Sequence, residues 1–451
     1  MSAYRRGNHM DNAKPVVPIT DFIDKELILF SRADITRSIP SVVDGLKPSQ
    51  RKVLFAAFKR NLTADIKVAQ FAGYTAEHSA YHHGEASLTA TIVNMAQDFV
   101  GSNNVNYLVP SGQFGTRANG GKDAASARYI FTRLSPATRR LFHPDDDALL
   151  RYLEDDGDSV EPEWYVPTLP ALLINGSEGI GTGWSTSVPS YDPTDVAANV
   201  RRMIRGDPLV PMTPWYKHFK GTIVETAPGT FASRGVWTVR GNTVTVTELP
   251  VGRWTQDVKE HYDSLLDKKI IVDFRENHTD VDVRFELDFP STPPADLATV
   301  LKLETAIRTT NIHAFDPDGV IKKYETPEDV IREWFVVRRK FYAMRKEMLL
   351  KNMDAAADKA ANKARFVRDI VAGTLVVGGK KKIDVLAELE KEGYASFGGY
   401  GYLADMPIFD LTSDKIAALV ATADALRSRR ENLAGTSIET MWLDDLLATK
   451  A

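Results

Sequence analysis

Residues 38–54 read Ser-Ile-Pro-Ser-Val-Val-Asp-Gly-Leu-Lys-Pro-Ser-Gln-Arg-Lys-Val-Leu, and the end of this stretch predicts a helix that extends to Arg60. Pro48 would lie in the first turn, where the amide that proline lacks has no intrahelical partner to lose. A second helix is predicted by apolar residues that recur every three or four positions: Leu88, Ile92, Met95 and Phe99. Two short basic helices joined by a loop rich in Tyr, His and Gly are typical of a helix-turn-helix or winged-helix unit.

Positive charge is concentrated in two segments, although the whole chain carries a net charge of −4. Residues 31–60 contain seven basic and two acidic residues, and residues 113–140 contain six basic residues and one acidic residue. Each segment therefore has a net charge of +5. Segregated charge of this kind is typical of a surface that binds phosphates, although a pair of solvated basic faces would give the same count.

The bulk composition limits the classes of protein to which the chain can belong. Its 451 residues exceed what one core usually supports, so about two to four domains are expected. The chain contains no cysteine, which excludes disulfide frameworks, thiolate zinc sites and cysteine nucleophiles. No apolar run reaches the roughly 18 residues of a membrane helix, and the N-terminus lacks the pattern of a signal peptide.

The order of the local signals predicts an α+β multidomain fold in four parts. A loose N-terminal arm is expected over 1–28, and the helix-turn-helix part over 29–168. Proline punctuation and short alternating segments predict a strand-rich part over 169–322. The remainder, 323–451, is predicted to be helical.

The strand-rich part contains two clear signals. Val236–Arg240 and Thr243–Glu248 are predicted strands, and the Gly-Asn pair between them is typical of a hairpin turn. Across 280–289, apolar residues alternate with charged ones, which predicts a half-buried strand with Asp280 and Asp282 on its polar face.

The helical part carries two apolar stripes. The first follows Pro327 with heptad spacing: Val330, Trp334, Val337, Phe341, Met344 and Met348. The second follows Ser413, the expected N-cap: Ile416, Leu419, Ala423, Leu426 and Leu433. Two long helices with a helical insert at 373–412 would form an antiparallel coiled-coil arm, and a simple helical bundle is the alternative.

Some motifs resemble ligand sites but lack the context that such sites require. Gly179–Gly183 is glycine-rich without a strand–loop–helix unit around it, and residues 378–380 lack the register and the Ser/Thr of a phosphate loop. The acidic runs at 145–147 and 154–156 are interpreted as solvated turns. No metal site is therefore predicted in this chain.

One group of residues combines cations, histidines and a tyrosine: Arg37, Lys47, Arg51, His82, His83, Arg117, Arg128 and Tyr129. A tyrosine in Ala-Arg-Tyr-Ile is by itself more often a packed aromatic. The cations concentrated around these positions favour a functional site instead. Because a tyrosine hydroxyl has a pKa of about 10, it needs nearby cations or a base to act as a nucleophile.

Five motifs resemble those of the type IIA DNA topoisomerases, in the same order and at similar spacing. Besides 38–54, they are Tyr-His-His-Gly-Glu at 81–85, Gly-Gln-Phe-Gly-Thr-Arg at 112–117, Gly-Gly-Lys-Asp-Ala-Ala-Ser-Ala-Arg-Tyr-Ile at 120–130 and Leu-Ile-Asn-Gly-Ser-Glu-Gly-Ile-Gly-Thr-Gly-Trp at 173–184. The resemblance is strongest over 31–195 and continues more weakly to the C-terminus. The wording of the motifs resembles the eukaryotic enzymes, whereas the extent of the chain is similar to the separate medium subunit of T-even phage topoisomerases.

The resemblance implies a DNA breakage-reunion subunit in which Tyr129 attacks a DNA phosphate and forms a transient 5′-phosphotyrosine. Arg128, Arg37, Lys47 and His83 are then expected around the reacting phosphate. The fold implied is a winged-helix cleavage domain over 29–168, a tower domain over 169–322, and a coiled coil with a dimer gate over 323–451.

The resemblance also implies contacts with double-stranded DNA. Arg51, Arg117 and Lys122 are expected at the phosphate backbone, where contacts position the duplex, and His82 is also expected at the DNA. Ile180 is expected to wedge between base pairs and bend the duplex.

Further partners follow from the resemblance. A homodimer is expected, because each protomer would cut one strand. The sequence shows neither an ATPase module nor the family's metal-binding module, so Mg²⁺ and ATP are expected on a separate partner subunit, with the metal acting on the phosphate and leaving oxygens. The end of the chain after Trp442 favours such a separate subunit. The expected location is the host cytoplasm for a phage protein, or the DNA compartment used by another virus, with no membrane partner.

Two other functions are considered. A non-enzymatic DNA-binding protein, dimerised through a coiled coil, would also explain the basic faces and the heptads, but not the tyrosine motif. A bacterial gyrase-type subunit is the weaker alternative, because no propeller-like repeats follow the second long helix.

Overall fold

The computed structural model describes residues 10, 13 and 16–448, and these fall into two units. One unit contains the described residues up to Arg338 together with those from Asp445 onward, and the other runs from Arg339 to Asp444. Among the described residues, no helix is long and apolar enough to cross a membrane. Helices and strands are mixed along the first unit, and the finer division into four parts stays a prediction.

The helices are numbered in chain order. Those of the first unit are α1 (Ile19–Phe22), α2 (Ile28–Ser38), α3 (Pro48–Lys59), α4 (Val68–His78), α5 (Glu85–Ala96), α6 (Pro136–Leu141), α7 (Ala171–Asn175), α8 (Pro193–Arg205), α9 (Thr255–Asp267) and α10 (Leu297–Val300). A π-helical turn at Ile23–Leu27 joins α1 to α2, and a 3₁₀ helix covers Pro144–Leu149. The later helices are α11 (Pro327–Val371), α12 (Lys382–Lys391), α13 (Gly401–Ala404), α14 (Ser413–Gly435) and α15 (Ile438–Ala448).

The strands form several small antiparallel sheets. In chain order they are β1 (Ile66–Lys67), β2 (Phe131–Thr132), β3 (Tyr152–Asp155), β4 (Asp158–Pro162), β5 (Ser177–Gly181), β6 (Trp184–Val188), β7 (Thr222–Ala227), β8 (Thr230–Arg234), β9 (Val236–Arg240), β10 (Thr243–Glu248), β11 (Asp273–Glu276), β12 (Phe285–Asp288), β13 (Glu304–Arg308), β14 (Ile312–Phe315) and β15 (Ile321–Tyr324). The larger sheets have the orders β11-β12-β10-β9 and β13-β8-β7.

Helices α3, α4 and α5 pack against one another and carry much of the N-terminal core. Helix α3 begins at Pro48 as predicted and ends one residue before Arg60. Leu88, Ile92 and Met95 are buried on α5 as predicted, but Phe99 lies beyond its end. Helix α4 was not predicted. Its buried residues, Val68, Phe71, Ala72 and Thr75, have helical spacing, so the signal for this helix was present in the sequence.

The four-stranded sheet has its own core with α9 and α10. The predicted hairpin of β9 and β10 has the expected bounds. The long strand predicted over 280–289 is shortened to β12, and Val281 is 68% exposed. The reason is a turn in which the Thr279 hydroxyl accepts hydrogen bonds from the backbone amides of Val281 and Asp282. Alternation in the sequence cannot reveal this competing turn.

The second unit pairs α11 with the segment of α14 and α15 in antiparallel fashion. The Tyr342 ring stacks on Trp442 with centroids 4.9 Å apart, and Arg430 forms an ion pair with Asp354 at 3.0 Å. The predicted helical insert is present and packs around buried Phe366, Val367 and Leu389, among others. The N-cap of α14 is Thr412 rather than the predicted Ser413, because the Thr412 hydroxyl accepts from the Lys415 amide.

Candidate functional site

Cationic and histidine side chains line a cavity of about 590 Å³ in the first unit. We call it the cation pocket and define it by Arg37, Lys47, Lys52 and His83, with Ile180 at its edge. Arg37 lies in the last turn of α2, and Lys47 is the N-cap residue of α3. Two separate segments of chain therefore bring positive charge to one place, as a site for an anion requires, and a third contributes His83, while Asp34 and Glu178 also line the cavity.

The side chain of Lys47 is held inside the cation pocket. Its ammonium group donates a hydrogen bond of 2.5 Å to the carbonyl oxygen of Glu178. Its own backbone amide donates to the side chain of Gln50 in the first turn of α3. Partial desolvation of the ammonium lowers the pKa of Lys47, and the nearby charge of Glu178 opposes that shift.

His83 and His82 lie next to each other but differ in their partners. Partial burial, and then the charges of Arg37, His82 and Lys52, lower the pKa of His83. Its imidazole is therefore neutral at neutral pH, and a neutral ring still has one N–H to donate. His82 points to a different neighbour, Asp155 in β3, with 3.6 Å between Nε2 and Oδ2.

Ile180 is displayed on the hairpin formed by β5 and β6, and its side chain is 85% exposed. A Cβ atom added to Gly179 would lie 2.0 Å from the Ser38 carbonyl oxygen, so only glycine allows β5 to lie this close to α2. Thr182 anchors the turn by donating its backbone amide and hydroxyl to Asp34. The Gly179–Gly183 motif is thus a hairpin that presents an apolar side chain, and not a nucleotide loop.

Tyr129 lies on a loop that is tied to the start of α4. The first two amides of α4, from Val68 and Ala69, donate to the carbonyl oxygens of Ile130 and Ala127. Ile130 is buried and anchors the loop, whereas Tyr129 is 72% exposed. The backbone beside the hydroxyl is therefore fixed while the hydroxyl faces solvent.

The segment before Tyr129 is supported by polar side chains and by close glycine contacts. The Thr116 amide and hydroxyl both donate to Asp123, at 2.8 and 2.6 Å. Burial opposes ionisation of Asp123, but the hydrogen bonds from Thr116 outweigh it and lower the pKa of that carboxyl. A Cβ atom on Gly115 would lie 2.5 Å from the Gly121 carbonyl oxygen, so these two segments of the loop can approach only because residue 115 is glycine.

Tyr129 and Arg128 do not line the cation pocket of their own chain. The sequence predicted a single constellation in which Arg37, Lys47 and His83 surround the tyrosine. The structure instead separates a displayed tyrosine, with exposed Arg128 beside it, from a preformed pocket. Both are present, but the described residues of one chain do not bring them together.

Comparison with known proteins shows the family to which the chain belongs. A family model for the A subunit of DNA gyrase/topoisomerase IV matches residues 37–448. The chain belongs to this family. The resemblance found in the sequence motifs is therefore confirmed.

Similar relatives are eukaryotic. The chain is 43% identical to DNA topoisomerase 2 of Arabidopsis thaliana, over 99% of this chain and 34% of that protein. It is 44% identical to DNA topoisomerase 2-beta of Gallus gallus, over 95% of this chain and 29% of that protein. The chain thus spans about a third of the length of these relatives. Relatives of this kind agree with the eukaryotic wording of the motifs, and do not test the resemblance to a phage protein.

A solved structure shares the fold. The DNA-binding, cleavage and re-ligation domain of Plasmodium falciparum topoisomerase II superposes with a TM-score of 0.92 at 41% identity. The match covers 99% of this chain and 66% of that one. The mixed α/β fold of this family member is therefore that of the solved domain.

Two residues expected at the DNA backbone are buried and paired inside the protein. The Arg51 guanidinium is 7% exposed and donates to both carboxylate oxygens of Asp44. Arg117 is 4% exposed and forms an ion pair of 2.5 Å with Glu248 at the end of β10. Both guanidinium groups are paired inside the protein, and their contact with the DNA backbone stays a prediction. Exposed Lys122 remains a predicted backbone contact.

A sequence signal for the burial of Arg51 was available. On α3, Arg51 falls on the same stripe as Leu54, Phe55 and Phe58, at spacings of three, four and seven residues. Lys52, which sequence reasoning left unassigned, lies on a different face together with Ser49, and both line the cation pocket. The helical period therefore places Arg51 and Lys52 on different faces of α3, whereas a count of charges treats them alike.

The acidic run at 145–147 is not the solvated turn that the sequence suggested. Asp146 is buried and forms an ion pair of 2.6 Å with Arg338, so it is not part of a solvated turn. Asp147 pairs with Arg139 at 3.0 Å. Asp282 pairs with Lys220 at 2.6 Å. Across residues 10, 13 and 16–448, no group of three or more His, Asp or Glu side chains could hold a metal ion.

The Asp44–Arg51 pair gives a prediction about stability. Replacing Asp44 with alanine leaves a buried guanidinium without its counterion, and removes the acceptor of the Leu46 and Tyr165 amides. We expect Asp44→Ala to lower the free energy of unfolding by about 3–5 kcal/mol, measured by urea denaturation. The control is Asp65→Ala, which breaks the exposed pair with Arg133 and should cost at most about 1 kcal/mol. Equal losses in the two variants would contradict the structural role of Arg51.

Proposed function

We propose that the chain is the DNA-cleaving and rejoining part of a type II DNA topoisomerase, with Tyr129 as the nucleophile. The observation that carries this proposal is the exposed Tyr129 side chain on a loop whose backbone is fixed at the start of α4. A nucleophile needs access to its substrate and a defined position, and this loop provides both. Membership of the family and the nearby cation pocket support the same function.

The proposed chemistry is a reversible transesterification. The Tyr129 oxygen forms a bond to a DNA phosphorus, the bond from that phosphorus to the 3′ oxygen breaks, and the 3′ hydroxyl leaves with a proton. The tyrosine ester retains the energy of the broken phosphodiester, so attack by the 3′ hydroxyl reseals the strand without ATP. Arg37, Lys47 and Arg128 would meet the negative charge on the phosphoryl oxygens, and His83 would donate a hydrogen bond to them.

We further propose that two copies act together, each cutting one strand of the duplex. Within one chain, Tyr129 does not line the cation pocket. In the proposed dimer, Tyr129 of one protomer meets the cation pocket of its partner. This arrangement explains why the Tyr129 loop and the pocket are both well formed although they lie apart in one chain. The passage of a second duplex through the double-strand break belongs to the same proposal.

Mg²⁺ and ATP are proposed to be held outside the described residues. Within those residues, no cluster of acidic or histidine side chains fits a metal ion. A separate partner subunit, or the remainder of a longer polypeptide, would supply the metal site and the ATPase. The chain's own contribution is to bind the duplex, position the phosphate and provide the nucleophile.

The nucleophile can be tested directly. With supercoiled DNA, Mg²⁺ and the module that supplies the metal site, denaturation should leave wild-type protein attached to DNA 5′ ends. Tyr129→Phe should reduce this covalent product by on the order of 10³-fold or more, because it removes the attacking oxygen. Its DNA binding should stay close to that of wild type. If both proteins bind DNA and give the same low background, the chain is a non-enzymatic DNA-binding protein.

The two-copy arrangement can be tested by complementation. A heterodimer of a Tyr129→Phe chain and a Lys47→Ala chain would keep one intact site if the tyrosine and the pocket come from different protomers. We expect it to nick one strand, as measured on denaturing gels, whereas each mutant homodimer should be inactive. If both parts came from the same protomer, each site in the heterodimer would carry one lesion and no nicking would be observed.

Ile180 is proposed to bend the duplex by inserting between base pairs. Its exposed apolar side chain on a well-anchored hairpin supports this role, since apolar wedges kink DNA by roughly 20–90°. We expect Ile180→Ala to reduce the bend, measured by energy transfer between labelled DNA ends. The matched control is Ile383→Ala, which removes an isoleucine that is 72% exposed in the second unit. Equal bending by Ile180→Ala and the control would refute the wedge.

A further inference from the structure

Lys52 occupies the wall of the cation pocket and yet directs its ammonium group into the protein. Its Nζ donates to the carbonyl oxygen of Ser79 and, at 2.8 Å, to the carboxylate of Glu161. The side chains of Lys52 and Glu161 are 16% and 5% exposed. Buried ions of opposite charge require this kind of pairing, and the Ser79 carbonyl is an additional acceptor. Lys52 is therefore bound to two other segments of the chain.

One of these segments is the loop that carries both histidines. We call residues 79–84, which join α4 to α5, the dihistidine loop. Ser79 is buried, and Ala80 adopts the left-handed conformation at φ 47°, which a non-glycine residue keeps only when its surroundings hold it there. The Tyr81 amide returns to the Ala76 carbonyl. The path of the loop toward His83 thus starts from the Ser79 carbonyl that Lys52 binds.

The other segment is the hairpin of β3 and β4. Glu161 lies on β4 and holds Lys52, while Asp155 on β3 lies 3.6 Å from His82. The hairpin therefore contacts the dihistidine loop at its beginning, through Lys52, and near its middle, through Asp155. Neither contact uses a group that the proposed reaction needs for itself.

We propose that the Lys52–Glu161 pair is a positioning device that fixes the dihistidine loop so that His83 faces the phosphate in the cation pocket. This inference rests on the proposed function and deepens it, because it names residues that act through His83 rather than on the DNA. Lys52 and Glu161 are positioning residues and not catalytic residues.

The charged surroundings of His83 provide a readout of its position. His83 faces Arg37 from α2, Lys52 from α3 and His82 from its own loop, and Asp155 of the hairpin faces His82. Partial burial and these cations lower the pKa of His83 below its ordinary value of 6.5. If the loop were released, the ring would leave these neighbours for water and its pKa would rise toward 6.5.

The decisive variant is the double substitution Lys52→Met with Glu161→Leu. Replacing a buried ion pair with apolar residues of similar size often leaves stability unchanged, so this variant should fold. It also removes the positive charge of Lys52, which itself lowers the His83 pKa, so amide exchange in residues 79–84 is the readout that separates release of the loop from simple loss of that charge. Lys52→Arg is the conservative variant, because it keeps a cation that can reach both acceptors. Lys59→Met on the exposed side of α3 is the matched control.

We expect the double variant to raise the His83 pKa toward 6.5, measured by NMR titration of labelled histidines. Amide hydrogen exchange in residues 79–84 should increase by on the order of 10-fold or more, because the loop opens locally. Lys52→Arg should keep the His83 pKa and the amide exchange of residues 79–84 close to their wild-type values. Lys59→Met should match wild type in both measurements. In the complete cleavage reaction, the double variant should lose on the order of 10- to 100-fold in rate while DNA affinity is retained.

Two results would overturn the inference. One is a double variant whose His83 titration and loop exchange match those of Lys59→Met. The other is faster exchange spread evenly over α3, α4 and α5, which would assign the pair a general structural role. Titration and exchange need neither DNA nor cleavage. A wild-type chain that forms no covalent product would thus count against the proposed function alone.

Discussion

The carboxylate of Asp44 is the interaction on which the N-terminal part of the first unit depends. It is fully buried and accepts two hydrogen bonds from Arg51, one from the Leu46 amide and one from the Tyr165 amide. One charge therefore joins the turn before α3, the helix itself and a segment more than a hundred residues later. Because Lys47 follows this turn directly, its place in the cation pocket is set by the same carboxylate.

The basic residues of the chain divide into two groups with different physical roles. Arg51 and Arg117 are paired inside the protein with Asp44 and Glu248, so they contribute rigidity. Arg37 and Lys47 converge on one cavity, where partial burial strengthens their field, whereas Lys52 in the wall of that cavity is paired with Glu161. The positive charge that faces the cation pocket is thus smaller than the net charge of +5 in each basic segment, but it is gathered in one cavity.

Much of the fold was predictable where local chemistry decides it. The proline start of α3, the Gly-Asn turn between β9 and β10, and the long helices of the second unit followed from propensity and period. The predictions were wrong where a single contact competes with a pattern. Thr279 turns the chain and ends an apparent strand. Helix α4 was missed for a different reason, since its buried residues do have helical spacing.

The sequence by itself determined the family and the identity of the displayed tyrosine, because motifs in order along one chain specify backbone geometry residue by residue. It also predicted which side chains would bind a phosphate. Only the tertiary structure decided which of those cations are free to do so, since burial and pairing depend on segments distant in sequence. The separation of Tyr129 from the cation pocket is likewise a property of packing, because adjacency in a list of motifs carries no information about distance in space.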